Sequence, residues 1–326
     1  MTEDGSQIEA NEKMKDTLNS GKPIVVVGSI NMDLVTRAER IPLAGETVAG
    51  TSFQTHPGGK GANQAVAAAR LGHTVHMIGR VGSDPLGAEL LASLRSAGVD
   101  TTGVKEIAGS SGVAVILVSP QGQNCIVVTP GANASLMPED LDEHLDQIRA
   151  AGAVLTQLEI PIETVVRLAQ LCHQEGVPLI LDPAPARTLP PELVRLATWF
   201  TPNETEAAFY ADRSSGTEAS DDPLQTIRSL QALGARNILL KRGERGFLIA
   251  TTDGRVEAGE AFRVEAVDTT AAGDAFNGAF AVALCGGKSP LESARFASAA
   301  AALSVTRHGA QPSMATLDEV NKLLML

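Results

Sequence analysis

Between residues 138 and 240 the chain repeats one pattern: a short branched-aliphatic run, a polar residue at its end, then a helix-forming stretch. Strands are expected at 153–158, 179–181, 199–201 and 237–240, with helices at 138–150, 161–175, 191–197 and 223–233. Strand–helix alternation with short connections leads to a parallel sheet covered on both faces. The polar ends are Glu159, Asp182, Asn203 to Glu206, and the loop Lys241-Arg242-Gly243-Glu244-Arg245-Gly246. One polar strand end is ordinary, but a series along one edge suggests a shared cleft.

The N-terminal half places further polar residues near such an edge. A buried strand is expected at 24–27, followed by Asn31 and Asp33, where Asp33 is either a ligand group or a turn residue. His56-Pro57-Gly58-Gly59-Lys60-Gly61-Ala62-Asn63 leads into a helix at 64–71. Glycines around a lysine let a ligand approach the main chain, although a flexible turn uses the same residues. Gly61 stands where a P-loop needs Ser or Thr, so this is not one. A strand at 75–81 and a helix at 84–97 follow. Residues 34–57 and 102–130 are short alternating runs broken by glycines and prolines, expected to form a small sheet apart from the main body.

Near the C-terminus, Asp268-Thr269-Thr270-Ala271-Ala272-Gly273-Asp274 runs into a helix expected at 275–284. Residues this small allow their N–H groups to crowd onto one ligand atom at the positive end of a helix dipole. Asp274 would repel an anion there unless something passes between them. A hydroxyl attacking a phosphoryl group fits, with Asp274 taking its proton. An acidic residue beginning an ordinary helix is the alternative. Further on, a hairpin flanks Asp253-Gly254, and helices are expected at 290–305, with Ser289 as N-cap, and at 316–324.

Composition excludes several functions. One Trp, one Tyr and a net charge of −12 weigh against nucleic acid as a partner. No apolar run is long enough for a membrane span. Cys125, Cys172 and Cys285 lack metal or disulfide spacing and are expected as buried thiols in a reducing cytoplasm. Residues 1–21 are polar and acidic, expected as a disordered tail before a domain spanning 22–326. No Gly-x-Gly-x-x-Gly follows the first strand, which disfavours a dinucleotide dehydrogenase.

Two segments carry a resemblance: Pro57-Gly58-Gly59-Lys60-Gly61-Ala62-Asn63-Gln64-Ala65 and Asp268 to Gly278, with Asn203-Glu204-Thr205-Glu206 between them. In this order they resemble the ribokinase/PfkB carbohydrate-kinase family, over about residues 24–313. The resemblance implies an α/β fold with a central, mostly parallel sheet, helices on both faces and a small β-sheet lid. It also implies ATP-dependent phosphorylation of D-ribose at O5, with other sugars or nucleosides as alternatives.

On the matched positions, Asp274 is the implied base and the amides of Ala271, Ala272, Gly273 and Asp274 the anion hole. Asn31, Asp33, Gly59, Lys60, Gly61, Ala62, Asn63 and Glu159 are the implied sugar site. Asn203, Lys241, Arg242, Gly243, Glu244, Arg245, Gly246 and Ser298 are implied for ATP, together with Gly273 and Asp274. Mg²⁺ would be held through waters by Asn203 and Glu206. K⁺ would sit among Asp268, Thr270, Ser304, Arg307, Gly309 and Ser313, although Asp268 could simply form a turn. A cytoplasmic homodimer joined through the lids is implied too. Lys241 departs from the threonine common at its position, leaving open whether it meets phosphate or points away. Ser298 departs from a histidine found there in some members.

Overall fold

The computed structural model describes residues 21–215 and 222–325, without the side chains of 212–215. The tail expected at 1–21 lies outside the described residues apart from Gly21. In chain order the strands are β1 Ile24–Val27, β2 Asn31–Ala38, β3 Gly50–Gly58, β4 Val75–Gly82, β5 Asp100–Ile107, β6 Gly112–Val118, β7 Asn124–Thr129, β8 Ala153–Thr156, β9 Leu179–Leu181, β10 Trp199–Phe200, β11 Asn237–Lys241, β12 Phe247–Ala250 and β13 Val256–Gly259. The α-helices are α1 Lys60–Arg70, α2 Pro85–Ser96, α3 Leu145–Ala150, α4 Ile162–Glu175, α5 Pro191–Leu196, α6 Glu204–Ser215, α7 Pro223–Ala232, α8 Ala272–Cys285, α9 Pro290–Ser304 and α10 Leu317–Leu324.

Nine strands form the main sheet, in the order β13-β12-β11-β10-β9-β8-β1-β4-β5. Its pairings are parallel except β11–β12 and β12–β13, because β12 runs against the rest; β12 and β13 form the hairpin expected around Asp253-Gly254. Strand β1 shows why the sheet is covered on both faces. Ile24 and Val26 enter one core with α1, α8 and α9, and Val25 and Val27 enter the other with α4. Each is fully buried, and burying such a side chain contributes about 1.5–3 kcal/mol.

The second sheet has four strands, β3-β2-β6-β7. Strand β2 pairs antiparallel with β3 and parallel with β6, so Asn31 lies opposite both Gly58 and Gly112. Asn31 and Asp33 therefore open the first strand of the small sheet. The expected lid boundary needs correction here. Residues 100–107 form the edge strand β5 of the main sheet, with 103–107 paired to 78–82 of β4. The small sheet comprises 31–58 and 112–129 instead. Alternation defines a strand but not its partner, so β5 carried no mark of its sheet.

Other departures are local. Helices α1 and α8 begin at Lys60 and Ala272, ahead of the expected 64 and 275, because their glycines sit inside the first turn. Residues 138–144 are a 3-10 helix before α3. Helix α6 was not anticipated, although Asn203 and Glu206 form a reciprocal cap: each accepts the other's backbone N–H, at 2.9 and 2.8 Å. The three cysteines are free, but only Cys172 is buried; Cys125 is exposed on β7, the outer strand of the small sheet.

Candidate active site

The N-terminus of α8 is where the site converges. Ala271, its N-cap, has φ 59°, a left-handed conformation that costs an L-residue roughly 1–2 kcal/mol. The tip, residues 271–273, is half-buried and opens onto a cavity of about 930 Å³. Lys60, Asp182, Asn203, Glu206 and Lys241 line the same cavity.

Asp274 is buried behind the tip. It accepts from Asn63 Nδ2 at 3.0 Å and from Gln64 Nε2 at 3.1 Å. Gln64 Nε2 also donates to Asp182 Oδ2 at 3.0 Å, and Gln157 Nε2 donates to Gln64 Oε1 at 2.7 Å. One amide thus bridges two carboxylates, its orientation set from behind. Burial pushes the Asp274 carboxyl up to about 6; Lys60 and its two amide donors oppose this, and Asp182 adds to it. A carboxylate so placed can accept a proton near neutral pH.

Lys60 begins α1. Burial disfavours its charge, but Asp274, Asp182, Glu159 and Glu206 together outweigh that and raise its pKa. Asp33 is pushed up to about 7, first by burial, then by Glu159 and Asp274, with Lys60 opposing. Glu159 Oε2 receives Ser29 Oγ at 2.6 Å, the Lys60 N–H at 3.3 Å and Asn31 Nδ2 at 3.4 Å. Asn31, Asp33, Lys60, Asn63, Glu159 and Asp274 are therefore brought together from four separate stretches. Asn63 Oδ1 is buried and has no hydrogen-bond partner among the described residues.

The glycines explain how α1 gets so close. A Cβ on Gly59, whose φ is +88°, would lie 2.6 Å from the Asn31 nitrogen. One on Gly58 would lie 2.5 Å from an Asp33 carboxylate oxygen. Gly61 and Ala62 are fully covered against the end of β1, where the Ala62 N–H donates to Ser29 O at 2.9 Å. They seat the helix and do not present side chains to the pocket.

On the other side of the cavity, Lys241 Nζ donates to Asp182 Oδ1 at 3.0 Å. It lies 3.6 Å from the place a Cβ on Gly273 would take, so Lys241 points toward the α8 tip. Glu204 holds Arg242 at 3.4 Å and Arg245 at 2.6 Å. Gly243, Glu244, Gly246 and Ser298 line this end of the cavity. Burial first, then Asp182, raises the Glu206 carboxyl, while Lys241 opposes. This acidic pair suits a hydrated cation, but no cluster of three or more His, Cys, Asp or Glu poised for a metal occurs among the described residues.

Asp268 lies in the turn before the tip. Its carboxylate accepts from Thr270 N at 2.9 Å, Thr270 Oγ1 at 2.6 Å and Gly309 N at 2.9 Å. Burial works against its charge, but the bonds from Thr270 and Gly309 hold its carboxyl below the usual range. This ties the turn to the 305–309 loop, where Val305 O also accepts the Asp268 N–H at 3.1 Å. Ser304 Oγ and Ser313 Oγ donate to Ala301 O and Ala310 O. Of the main-chain oxygens expected around a cation here, that of Ser304 accepts the Arg307 N–H at 3.2 Å.

Asp182, Gln64, Ser29 and Asn133 were not anticipated as site residues. Asp182 had the strand-end signal, and Gln64 lay within a conspicuous motif. Ser29 follows β1 and shared the strand-end signal, whereas Asn133 had no signal that local pattern could supply.

Residues 22–317 match the sequence profile of the pfkB family of carbohydrate kinases. A ribokinase of Bacillus subtilis (strain 168) is 45% identical over 301 residues, covering 92% of this chain and 99% of the relative. A deoxyribokinase of Salmonella typhi is 38% identical over 305 residues, covering 93% and 99%. The ribokinase of Arabidopsis thaliana, solved in complex with ribose and ATP, superposes with a TM-score of 0.87 at 37% identity, covering 94% and 99%. The large mostly parallel sheet with a separate small sheet is shared with these ribokinase structures.

Proposed function

This chain belongs to the pfkB family of carbohydrate kinases, and from that premise we propose that it transfers the γ-phosphoryl group of ATP to O5 of D-ribose, giving D-ribose 5-phosphate. The observation that carries this reading is the placement of Asp274. Its carboxylate lies behind an α-helix tip that opens to the large cavity, is bonded to Asn63, and is near enough to Asp33 for the two charges to interact.

In this reading the sugar binds among Asn31, Asp33, Lys60, Asn63 and Glu159. The unpartnered Asn63 Oδ1 accepts from a sugar hydroxyl. Asp274 takes the proton of the 5-hydroxyl as its oxygen attacks. The amides of residues 271–274 then hold the charge on the phosphoryl oxygens, preorganised by the left-handed turn at Ala271. Lys241, aimed at the tip from Asp182, and Gly243 to Gly246 receive the triphosphate. Magnesium, when bound with ATP, screens the charge of the phosphates; Asn203 and Glu206 would hold it through water. A potassium ion would be held by Asp268 with the main-chain oxygens of Thr270, Ser304, Arg307 and Gly309, near Ser313, and would stiffen the turn carrying the amides. An ATP donor is compatible with a cytoplasmic enzyme. No helix among the described residues is long and apolar enough to cross a membrane.

The Salmonella relative makes 2-deoxy-D-ribose the competing substrate. A coupled assay on D-ribose, 2-deoxy-D-ribose, fructose and adenosine, with and without K⁺, tests the reading. D-ribose should give the highest kcat/KM, and K⁺ should raise its rate. A higher value on another member of the panel would replace ribose as the substrate. No sugar-dependent ATP consumption at all would end the kinase reading.

The small sheet also leaves Phe53, Val115 and Val127 exposed on the face opposite Asp33. Exposed apolar surface of this kind marks an association face. In the proposed homodimer a second lid covers it. Sedimentation should find a dimer for the wild type and a monomer for Phe53→Asp combined with Val127→Asp. A dimer that persists in the double variant would place the contact elsewhere.

A further inference from the structure

Asn133 lies in the 3-10 turn Gly131–Ser135, where the chain returns from β7 to the body, and it is 1% exposed. Its Oδ1 accepts the Ile30 N–H at 2.9 Å. Its Nδ2 donates to Ile30 O at 3.1 Å and to Asn31 Oδ1 at 2.7 Å. A backbone N–H can only donate and a carbonyl can only accept. The two groups of Ile30 therefore permit Asn133 one orientation, free of the usual amide ambiguity.

That orientation dictates the next one. The NH₂ of Asn133 needs an acceptor, so Asn31 must turn its carbonyl oxygen toward it. The NH₂ of Asn31 is left facing Glu159 Oε2 at 3.4 Å. A flipped Asn31 would set its carbonyl against that carboxylate and its NH₂ against the NH₂ of Asn133. Gly112 closes the cage, since a Cβ there would lie 2.2 Å from both Asn133 Nδ2 and Asn31 Oδ1. The starts of β2 and β6 and the return after β7 all meet at this one side chain.

We infer that Asn133 is a positioning residue for sugar recognition: it locks Asn31 so that a donor, not an acceptor, faces the sugar hydroxyls. The inference rests on the sugar-kinase reading above. Its chemical consequence is complementarity within the pocket. An ionised Asp33 can only accept, so the locked NH₂ of Asn31 supplies the donor that a hydroxyl's oxygen requires.

The test is Asn133→Asp, which keeps an acceptor for the Ile30 N–H but removes the NH₂ that holds Asn31. The KM for D-ribose should rise about tenfold or more, the effect of losing one sugar hydrogen bond. The KM for ATP should stay where it is. In an Asn31→Ala background the same change should add nothing further, because the two residues act as one unit. An unchanged ribose KM, or an equal rise in both backgrounds, overturns the inference while leaving the kinase reading intact. Wild-type protein that fails to turn over D-ribose overturns both. Should Asn133→Asp not fold, the wild type still decides by NMR. The side-chain NH₂ signals of Asn31 should shift on D-ribose titration, and unmoved Asn31 signals overturn the inference.

Discussion

Asp274→Asn is expected to lower kcat by about 10²–10⁴, the range that loss of a general base covers, without weakening ATP binding. Asn63 and Gln64 both donate to the Asp274 carboxylate. An asparagine has only one acceptor oxygen, so its NH₂ must face one of these donors, at a cost of about 1–3 kcal/mol. Calorimetric ATP binding therefore belongs beside the rate measurement, to separate lost chemistry from lost structure. Wild-type turnover in a variant that binds ATP normally would remove Asp274 as the base.

The same carboxyl sets the acid limb of the wild-type profile. It is pushed up to about 6, chiefly by burial, and it must be ionised to accept a proton. With sugar saturating, turnover should thus be full above that value and fall as pH drops through it. Asp274→Asn should abolish the limb along with most of the rate.

Gly61→Ala is expected to damage stability and activity together. A Cβ there would lie 2.7 Å from both the Gly28 carbonyl carbon and the Ser29 nitrogen. These are backbone atoms at the end of β1, which cannot rotate aside as a side chain can. Helix α1 must shift away, and overpacking of this kind costs about 1–3 kcal/mol. Lys60, Asn63 and Gln64 ride on that helix, so the Asp274 contacts loosen as it moves. Denaturant unfolding should show the stability loss, and kcat/KM should fall about tenfold or more if catalytic geometry depends on sub-ångström placement. Wild-type values in both measurements would mean that α1 and β1 need not pack this closely.

Much of the molecule was legible one segment at a time. The runs at 24–27, 179–181 and 237–240 are strands because their residues fit a sheet buried on both faces. Ser289 and Glu292 form a capping box that starts α9 where the sequence places it. The small-residue tip before Asp274 and the glycines around Lys60 were visible as places where a ligand could meet main chain. Their nearness to each other was suggested by strand-end position and by resemblance to a family, not by any local pattern.

The sequence by itself determined most of the elements, the layered α/β class and the candidate chemistry, because strand and helix periods and small-residue turns are properties of adjacent residues. Only the tertiary structure decided that β5 leaves the small sheet for the main one, and that Lys241 points at the α8 tip. Only it made Gln64 the bridge between Asp182 and Asp274, 118 and 210 residues away, and Asn133 the clamp on Asn31, 102 residues away. Contacts over such separations depend on strand order and on helices approaching at glycines. Those are set by how the whole chain packs, and no short window of residues contains them.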